Sequence, residues 1–251
     1  MKRLFNTLDV FLGVSLFSAL CMIVLTALPL PALAAEVVRG AGTAITERRT
    51  AGDFDAIEVA GEFEVVIRQG STNTIDVRAE PNLMAHLETV VSDNRKLLIR
   101  WKRSTHIYTG IKPIVTVQVV QLRSLESSGS GMVRIDGLTT PKLAATLSGS
   151  GDIRLTGLSS DELSLSIAGS GDVTAAGQSK HLKVRIAGSG DVRSQELKAD
   201  DVTVSIAGSG DARVHAEKSL SVSIAGSGDV TYSGAPAVKS SIAGSGSVRK
   251  R

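Results

Sequence analysis

The sequence predicts an all-β chain wound into a β-solenoid with about 20-residue coils and a less regular N-terminal portion. Three observations carry this. First, Gly-Ser-Gly occurs seven times, beginning at Gly129, Gly149, Gly169, Gly188, Gly208, Gly226 and Gly244, at intervals of 20, 20, 19, 20, 18 and 18 residues. A near-constant period in this range marks one short supersecondary unit stacked on the next. Second, each tripeptide follows an alternating stretch, such as Leu163-Ser164-Leu165-Ser166-Ile167 or Val202-Thr203-Val204-Ser205-Ile206. Period-two alternation gives a strand with one apolar and one polar face. Third, a second glycine, at 137, 157, 177 and 234, punctuates several repeats. Each repeat therefore reads as strand, tight corner, strand, second turn. A propeller blade would need about 40 residues.

The first 34 residues are set aside as a signal peptide. Lys2 and Arg3 precede the apolar run Val10 to Leu30, and Pro29 and Pro31 break it just before Ala32-Leu33-Ala34, a cleavage pattern. Cleavage after Ala34 sends the chain into the secretory route and leaves a net charge near +2, because Lys2, Arg3 and Asp9 are removed from a chain of +3. Left uncleaved, the same run is long enough for a membrane anchor, which needs about 20 apolar residues; membrane contact is expected only in that case. The sole cysteine, Cys21, lies in this segment, so the mature chain has no thiol for a disulfide or a metal.

Residues 35–47 read as a short extension, and 48–249 as one continuous solenoid domain. In its early part, Phe63 to Ile67 and Thr74 to Arg78 flank Gln69-Gly70-Ser71-Thr72-Asn73 and predict a hairpin-like turn. Asn82 to Val91 has mixed spacing and predicts a short helix or a loop. Leu97 to Trp101 and Ile114 to Val120 return to strand. An atypical end is required because a terminal repeat must cover the core its neighbour leaves open.

In the regular coils, Leu147, Ile167, Ile186, Ile206, Ile224 and Ile242 stack into one inner column at about 4.8 Å spacing. Burying each contributes roughly 1.5–3 kcal/mol. The corner glycines serve positive φ or close approach of coils. The corner serines, Ser130, Ser150, Ser170, Ser189, Ser209, Ser227 and Ser245, are expected to stack, with hydroxyls bonding along the column.

The sharpest chemical candidates are the acids after the corners: Asp152, Asp172, Asp191, Asp211 and Asp229. They invite comparison with calcium-binding β-rolls, whose period is about half as long, with two glycine-rich turns per circuit. Stacked carboxylates repel one another, and an offset is at hand two residues on. Arg154, Arg193 and Arg213 alternate there with Thr174 and Thr231, while Arg134 and Arg249 hold the end copies. Residues two apart share a strand face, so an outward Asp/Arg/Thr ladder, or turn capping by aspartate, is preferred to calcium.

Other chemistries find little support. His86, His106, His181 and His215 sit in unrelated contexts, and the chain has no Gly-x-Ser-x-Gly elbow, phosphate loop or dinucleotide fingerprint. Aromatics at 3% and interspersed charge argue against nucleic acid. No residue is assigned as catalytic, cofactor-binding or metal-ligating, and no cofactor is expected.

Phe54-Asp55-Ala56-Ile57-Glu58-Val59, then Val65-Val66-Ile67-Arg68-Gln69-Gly70, the Ser-Gly-Ser-Gly-like coils and the closing Val230-Thr231-Tyr232-Ser233-Gly234-Ala235-Pro236 together resemble the bacterial auto-transporter adhesin, head GIN domain family over about residues 48 to 249. The resemblance implies a right-handed, mostly parallel β-helix in secreted or envelope proteins, and supplies no catalytic residues. The expected function is an exported binding or structural module, adhesin-like and not an enzyme, in the periplasm, outer envelope or outside the cell. Its expected partner is an envelope or surface ligand, polysaccharide or protein, and it has the potential to form a homo-oligomer. The alternatives are a carbohydrate-active β-helix enzyme and a calcium-dependent surface protein.

Overall fold

The Gly-Ser-Gly period emerges as the pitch of a parallel β-solenoid of about six turns. The computed structural model describes residues 36–251; the expected signal segment 1–34, with Cys21, lies outside the described residues. The regular coils are β11 (Met132–Gly149), β12 (Asp152–Gly169), β13 (Asp172–Gly188), β14 (Val192–Gly208) and β15 (Ala212–Gly226). Each pairs in parallel with the next, as in Leu147↔Ile167↔Ile186↔Ile206↔Ile224. The inner column is as the alternation predicts over these five residues, whose side chains are buried, whereas the sixth expected member, Ile242, lies in register over Ile224 but is exposed. Ser127 occupies the same column one coil earlier, facing Leu147, and is also buried.

The first corner glycine takes a φ between 115° and 137° in all seven copies, a region that penalises a Cβ. The second glycine is required for a different reason. A Cβ on Gly171, Gly190, Gly210 or Gly228 would fall on the carbonyl oxygen of the equivalent glycine one coil before, far inside 3.0 Å. The corner serines stack as expected, but the bonds up the column come from their backbone. Ser170 N donates to Gly149 O, Ser189 N to Gly169 O, Ser209 N to Gly188 O and Ser227 N to Gly208 O, each at 2.9 Å. Their hydroxyls face solvent.

The second turn is a bend inside a continuous ladder, since β11 to β15 run unbroken through it. Gly137 and Gly157 adopt φ of 70° and 63° there. The register shifts all fall near this bend: between Leu155 and Leu158, Thr174 and Ala176, Ser194 and Lys198, and Ala199 and Asp201. Coils that shorten from 20 to 18 residues lose them here and keep the glycine corner in step.

The N-terminal portion builds the cap. It contains β1 (Glu36–Arg39), β2 (Ile45–Arg49), β3 (Ala56–Ala60), β4 (Glu64–Gln69), β5 (Thr74–Ala79), a 3₁₀ helix at Pro81–His86, β6 (Leu87–Val91), β7 (Lys96–Trp101), β8 (Thr105–Tyr108), β9 (Ile114–Val119) and β10 (Ser124–Gly129). One face of the solenoid runs β7, β3, β10 and then the second half of β11; the other runs β9, β4 and the first half of β11. Antiparallel strands finish both faces, β6 on β7, and β5 then β2 on β9. Phe54, Phe63 and Leu83 are buried at this end, and the rings of Phe63 and Trp101 lie 5.1 Å apart.

The expected hairpin of β4 and β5 is corrected: β9 inserts between them, parallel to β4 and antiparallel to β5. The turn at 70–73 wraps the end of β9 instead. Gly70 N bonds Val119 O at 2.9 Å, Val120 N bonds Asn73 Oδ1 at 3.0 Å, and Gln69 Nε2 bonds Val120 O at 3.1 Å. Asn82 to Val91 divides into the end of the 3₁₀ helix and the whole of β6. Two further strands, β16 (Asp229–Ser233) and β17 (Ala237–Gly244), and the short β18 (Ser247–Lys250) complete the last coils.

Candidate functional site

The Asp/Arg/Thr ladder forms on the face expected of it. Asp152 pairs in register with Asp172, Arg154 with Thr174, and Arg193 with Arg213. Four of the five carboxylates are capping groups; above Asp152 the backbone N–H of Asp172 bonds Gly151 O instead. Asp172 Oδ1 accepts from Asp191 N at 3.1 Å, Asp191 Oδ1 from Asp211 N at 3.1 Å, and Asp211 Oδ1 from Asp229 N at 2.8 Å. Asp229 closes the series, accepting from both the backbone N–H and the hydroxyl of Ser247. Those bonds hold the Asp229 carboxyl below its ordinary value, the hydroxyl contributing most.

Arg193 relieves the like-charge stack. It reaches Asp172 at 2.7 Å and Asp191 at 3.0 Å, and the bond to Asp172 is the main reason its guanidinium is held above its usual value. Each carboxylate in the middle of the ladder is thereby engaged by a backbone amide, an arginine or both. Among the described residues, no group of three or more His, Cys, Asp or Glu side chains is placed to hold a metal ion.

The histidines are dispersed. His106 lies on β8, and His86 ends the 3₁₀ helix with Nδ1 buried and unpartnered. His181 is 3.3 Å from Asp201. His215 bridges Ser233 Oγ at 2.9 Å and Glu217 Oε1 at 2.8 Å. His181 joins neighbouring strands, and His215 links Ser233 on the next strand with Glu217 on its own, so that a hydroxyl, an imidazole and a carboxylate lie in one hydrogen-bonded line.

A well-formed concavity sits at the second bend, a place to which the sequence pattern assigns no chemical role. It is an open groove of about 650 Å³ crossing five successive coils, β11 to β15. Five rungs at about 4.8 Å give it a length near 19 Å. Its residues come in register: Thr139, Ser159, Gln178 and Lys198 form one row, while Thr140, Ser160 and Ser179 form the row beside it.

The second row is tied inward, with Thr140 and Ser179 buried and Ser160 half-buried. Thr140 Oγ1 donates to Leu122 O at 3.1 Å, Ser160 Oγ to Ser179 Oγ at 3.1 Å, and Ser179 Oγ to His181 O at 3.1 Å. The first row faces out, with Gln178 Nε2 3.2 Å from Ser159 Oγ. Gln69 fixes the open end of that row by bonding both Thr139 O and Thr139 N.

Ion pairs stepping from coil to coil make the rim: Asp161 with Lys180 at 2.7 Å and Asp200 with Lys218 at 3.0 Å. Each carboxylate holds its lysine above the usual amine value. Outside the rim, Lys142 meets Glu162 at 2.8 Å. Chemically, the groove offers hydroxyls, an amide and paired charges at rung spacing, with no acid isolated in an apolar setting. The signal for it was present as two polar residues following the second glycine in successive repeats.

Fold and groove together define a parallel β-solenoid domain with a lateral polar furrow. The family model described as "Putative auto-transporter adhesin, head GIN domain" matches residues 53–236, and the chain belongs to that family. Solved structures share the fold. A "putative lipid binding protein" from Parabacteroides distasonis is 26% identical, with a TM-score of 0.73 over 86% of this chain and 100% of that one. A "putative adhesin" from Bacteroides fragilis is 23% identical, with a TM-score of 0.81 over 85% of this chain and 100% of the other. Another, from Parabacteroides merdae, is 24% identical at a TM-score of 0.71, over 86% and 100% of the respective chains. No curated protein matches the chain.

Proposed function

We propose that this chain is an exported, non-catalytic binding module that holds an extended polysaccharide of a cell envelope or surface along the groove at the second bend. The observation that carries the reading is the in-register row Thr139, Ser159, Gln178 and Lys198, with its ion-paired rim. A repetitive polar ligand is met by hydroxyl, amide and ammonium groups at a repetitive spacing. A rigid, hydrogen-bonded floor lowers the ordering cost of binding. Backbone ladders run beneath both rows of the floor, so the groove is preformed.

The family's adhesin description supports a surface role, and the apolar run ahead of Ala32-Leu33-Ala34 supports export with cleavage after Ala34. Lipid binding, the description given to the Parabacteroides distasonis neighbour, is disfavoured for this chain because Leu, Ile and Val columns fill the coils from β11 to β15. The enzyme alternative is disfavoured because Asp161 and Asp200 along the groove are each paired with a lysine, while the third acid there, Glu217, is bonded to His215.

The test is binding of the secreted form to an array of envelope and surface polysaccharides. Loss of signal in Gln178→Ala and Lys198→Ala, but not in Thr203→Ala on the opposite leg, is the expected result. Release of reducing sugar by the wild-type chain, abolished by one acid substitution, would overturn the reading. N-terminal sequencing of the exported protein checks the cleavage site.

A further inference from the structure

The second half of each coil presents an outer face whose composition changes at one place. In β11, β12, β14 and β15 its two central rows hold only short side chains: Ala144 and Thr146, Ser164 and Ser166, Thr203 and Ser205, Ser221 and Ser223. In β13 the same two positions are Lys183 and Arg185, both exposed. Being two residues apart on one strand, they share a face, with Cα atoms about 7 Å apart.

Several other cations of the coils are paired: Lys142, Lys180, Arg193 and Lys218 each lie within 3.0 Å of a carboxylate. Among the described residues, Lys183 and Arg185 have no carboxylate within salt-bridge reach. The acids closest in register, Glu162 and Asp201, flank His181 one row nearer the second bend. Both are engaged. Glu162 meets Lys142 at 2.8 Å, while Asp201 accepts from Ser219 Oγ and lies 3.3 Å from His181. Along the row of Arg185 the first acid is Glu126, three rungs away and held by Lys96. Three rungs span about 14 Å, more than the screening length of about 8 Å. Two positive charges therefore stand together, uncompensated, among hydroxyls.

We propose that Lys183 and Arg185 form a site for a phosphate monoester carried by a sugar. Such a group has a charge of about −2 at pH 7 and three acceptor oxygens. Its charge matches the pair; the guanidinium fork takes two oxygens and the ammonium the third. Ser166 and Ser205 beside Arg185, and Ser164 and Thr203 beside Lys183, are short enough to leave the anion open access. They also add hydroxyl donors. Over β11 to β15 this face carries no large apolar side chain, so it has nothing to insert into a bilayer, and a sugar suits it better than a lipid headgroup. The site stands apart from the groove at the second bend, and either can bind without the other.

The experiment titrates the secreted form with a glucose phosphate monoester, the corresponding sulfate ester and free glucose, reading amide shifts by nuclear magnetic resonance. The phosphate ester is expected to shift Lys183, Arg185 and the neighbouring rungs, the singly charged sulfate ester to bind more weakly, and glucose not at all. Lys183→Gln combined with Arg185→Gln should weaken the phosphate ester at least about tenfold. Arg213→Gln, which removes an exposed charge from the other half of a coil, and Gln178→Ala in the groove should leave it unchanged. An equal loss in Arg213→Gln would mean that net charge alone attracts the anion, and overturns the site. Equal binding of the two esters, shifts centred elsewhere, or no binding overturns it too. Vesicles containing phosphatidic acid test the source of the phosphate. If they bind and the glucose phosphate does not, the sugar assignment fails.

Discussion

Three glycine-to-alanine substitutions separate the physical demands that shape the coils. At Gly52, φ lies outside the positive region and a Cβ meets nothing within 4 Å. Gly52→Ala is therefore neutral or stabilises by up to about 1 kcal/mol, through the unfolded chain. At Gly137, φ is +70° with nothing within 4 Å, so only backbone strain of about 1–2 kcal/mol applies. At Gly149, φ is +119° and the Cβ would lie 2.6 Å from Gly129 O. That carbonyl accepts both Ser150 N at 3.1 Å and Gly151 N at 3.0 Å. Moving it to ordinary contact stretches both bonds beyond useful length, at about 0.5–1.5 kcal/mol each. With the φ strain, Gly149→Ala is expected to cost about 2–5 kcal/mol, or roughly 10 °C in melting temperature for a chain of this size. Urea unfolding and thermal melts of the three variants provide the assay. If Gly149→Ala unfolds at the midpoint of Gly137→Ala, the corner glycines are there for φ alone and the close-approach argument fails.

Other consequences are narrower. Asp191→Ala should cost about 1 kcal/mol, as loss of a capping acceptor does, and Asp191→Asn much less; a melt in calcium against chelator should shift neither, whereas a metal site would make both substitutions alike and the melt calcium-dependent. Arg193→Gln should destabilise by no more than about 1 kcal/mol because the pair is more than a third exposed and screened, and the difference should shrink in high salt. Glu80 is an acid-sensitive group of the N-terminal cap. Burial alone would raise its carboxyl, but bonds from the Thr109 hydroxyl and from backbone N–H groups, including Gly110 at 3.0 Å, outweigh that and lower it. A depressed carboxyl stabilises fully above its unfolded value and loses that contribution as pH falls through its folded one. Melts between pH 7 and pH 3 should show an acid-side loss that Glu80→Gln removes; an unchanged pH profile in the variant would sink this assignment.

The regular coils were legible because one physical constraint writes itself into the sequence again and again. A Cβ at either corner glycine would strike the coil before it, so the tripeptide recurs. The inner column must be apolar, so Leu147, Ile167, Ile186, Ile206 and Ile224 recur with it. Asp172, Asp191, Asp211 and Asp229 were legible for the same reason, each meeting an amide one coil on. The N-terminal cap was less legible because its pairings are not periodic. Local turn chemistry at Gln69 to Asn73 looks the same whether the flanking strands pair with each other or embrace a third. Only the distant strand β9, some 40 residues on, decides between them, and its edge is claimed by side chains whose local appearance is that of a turn.

The groove escaped notice because its residues vary in type while sharing a position. Thr139, Ser159, Gln178 and Lys198 have no motif in common; they have a place in common, just past the bend. That bend is also where coils shorten, which ties its variability to its location. A glycine corner cannot lose a residue without breaking two stacked backbone contacts. The second bend tolerates a loss as a local register shift, as between Leu155 and Leu158. Variation in both length and side chain therefore collects on one edge of the solenoid, above a floor held fixed by Thr140, Ser160 and Ser179. A surface that changes over a scaffold that does not is the arrangement binding sites favour, and here the spacing of the glycines themselves marks where it lies.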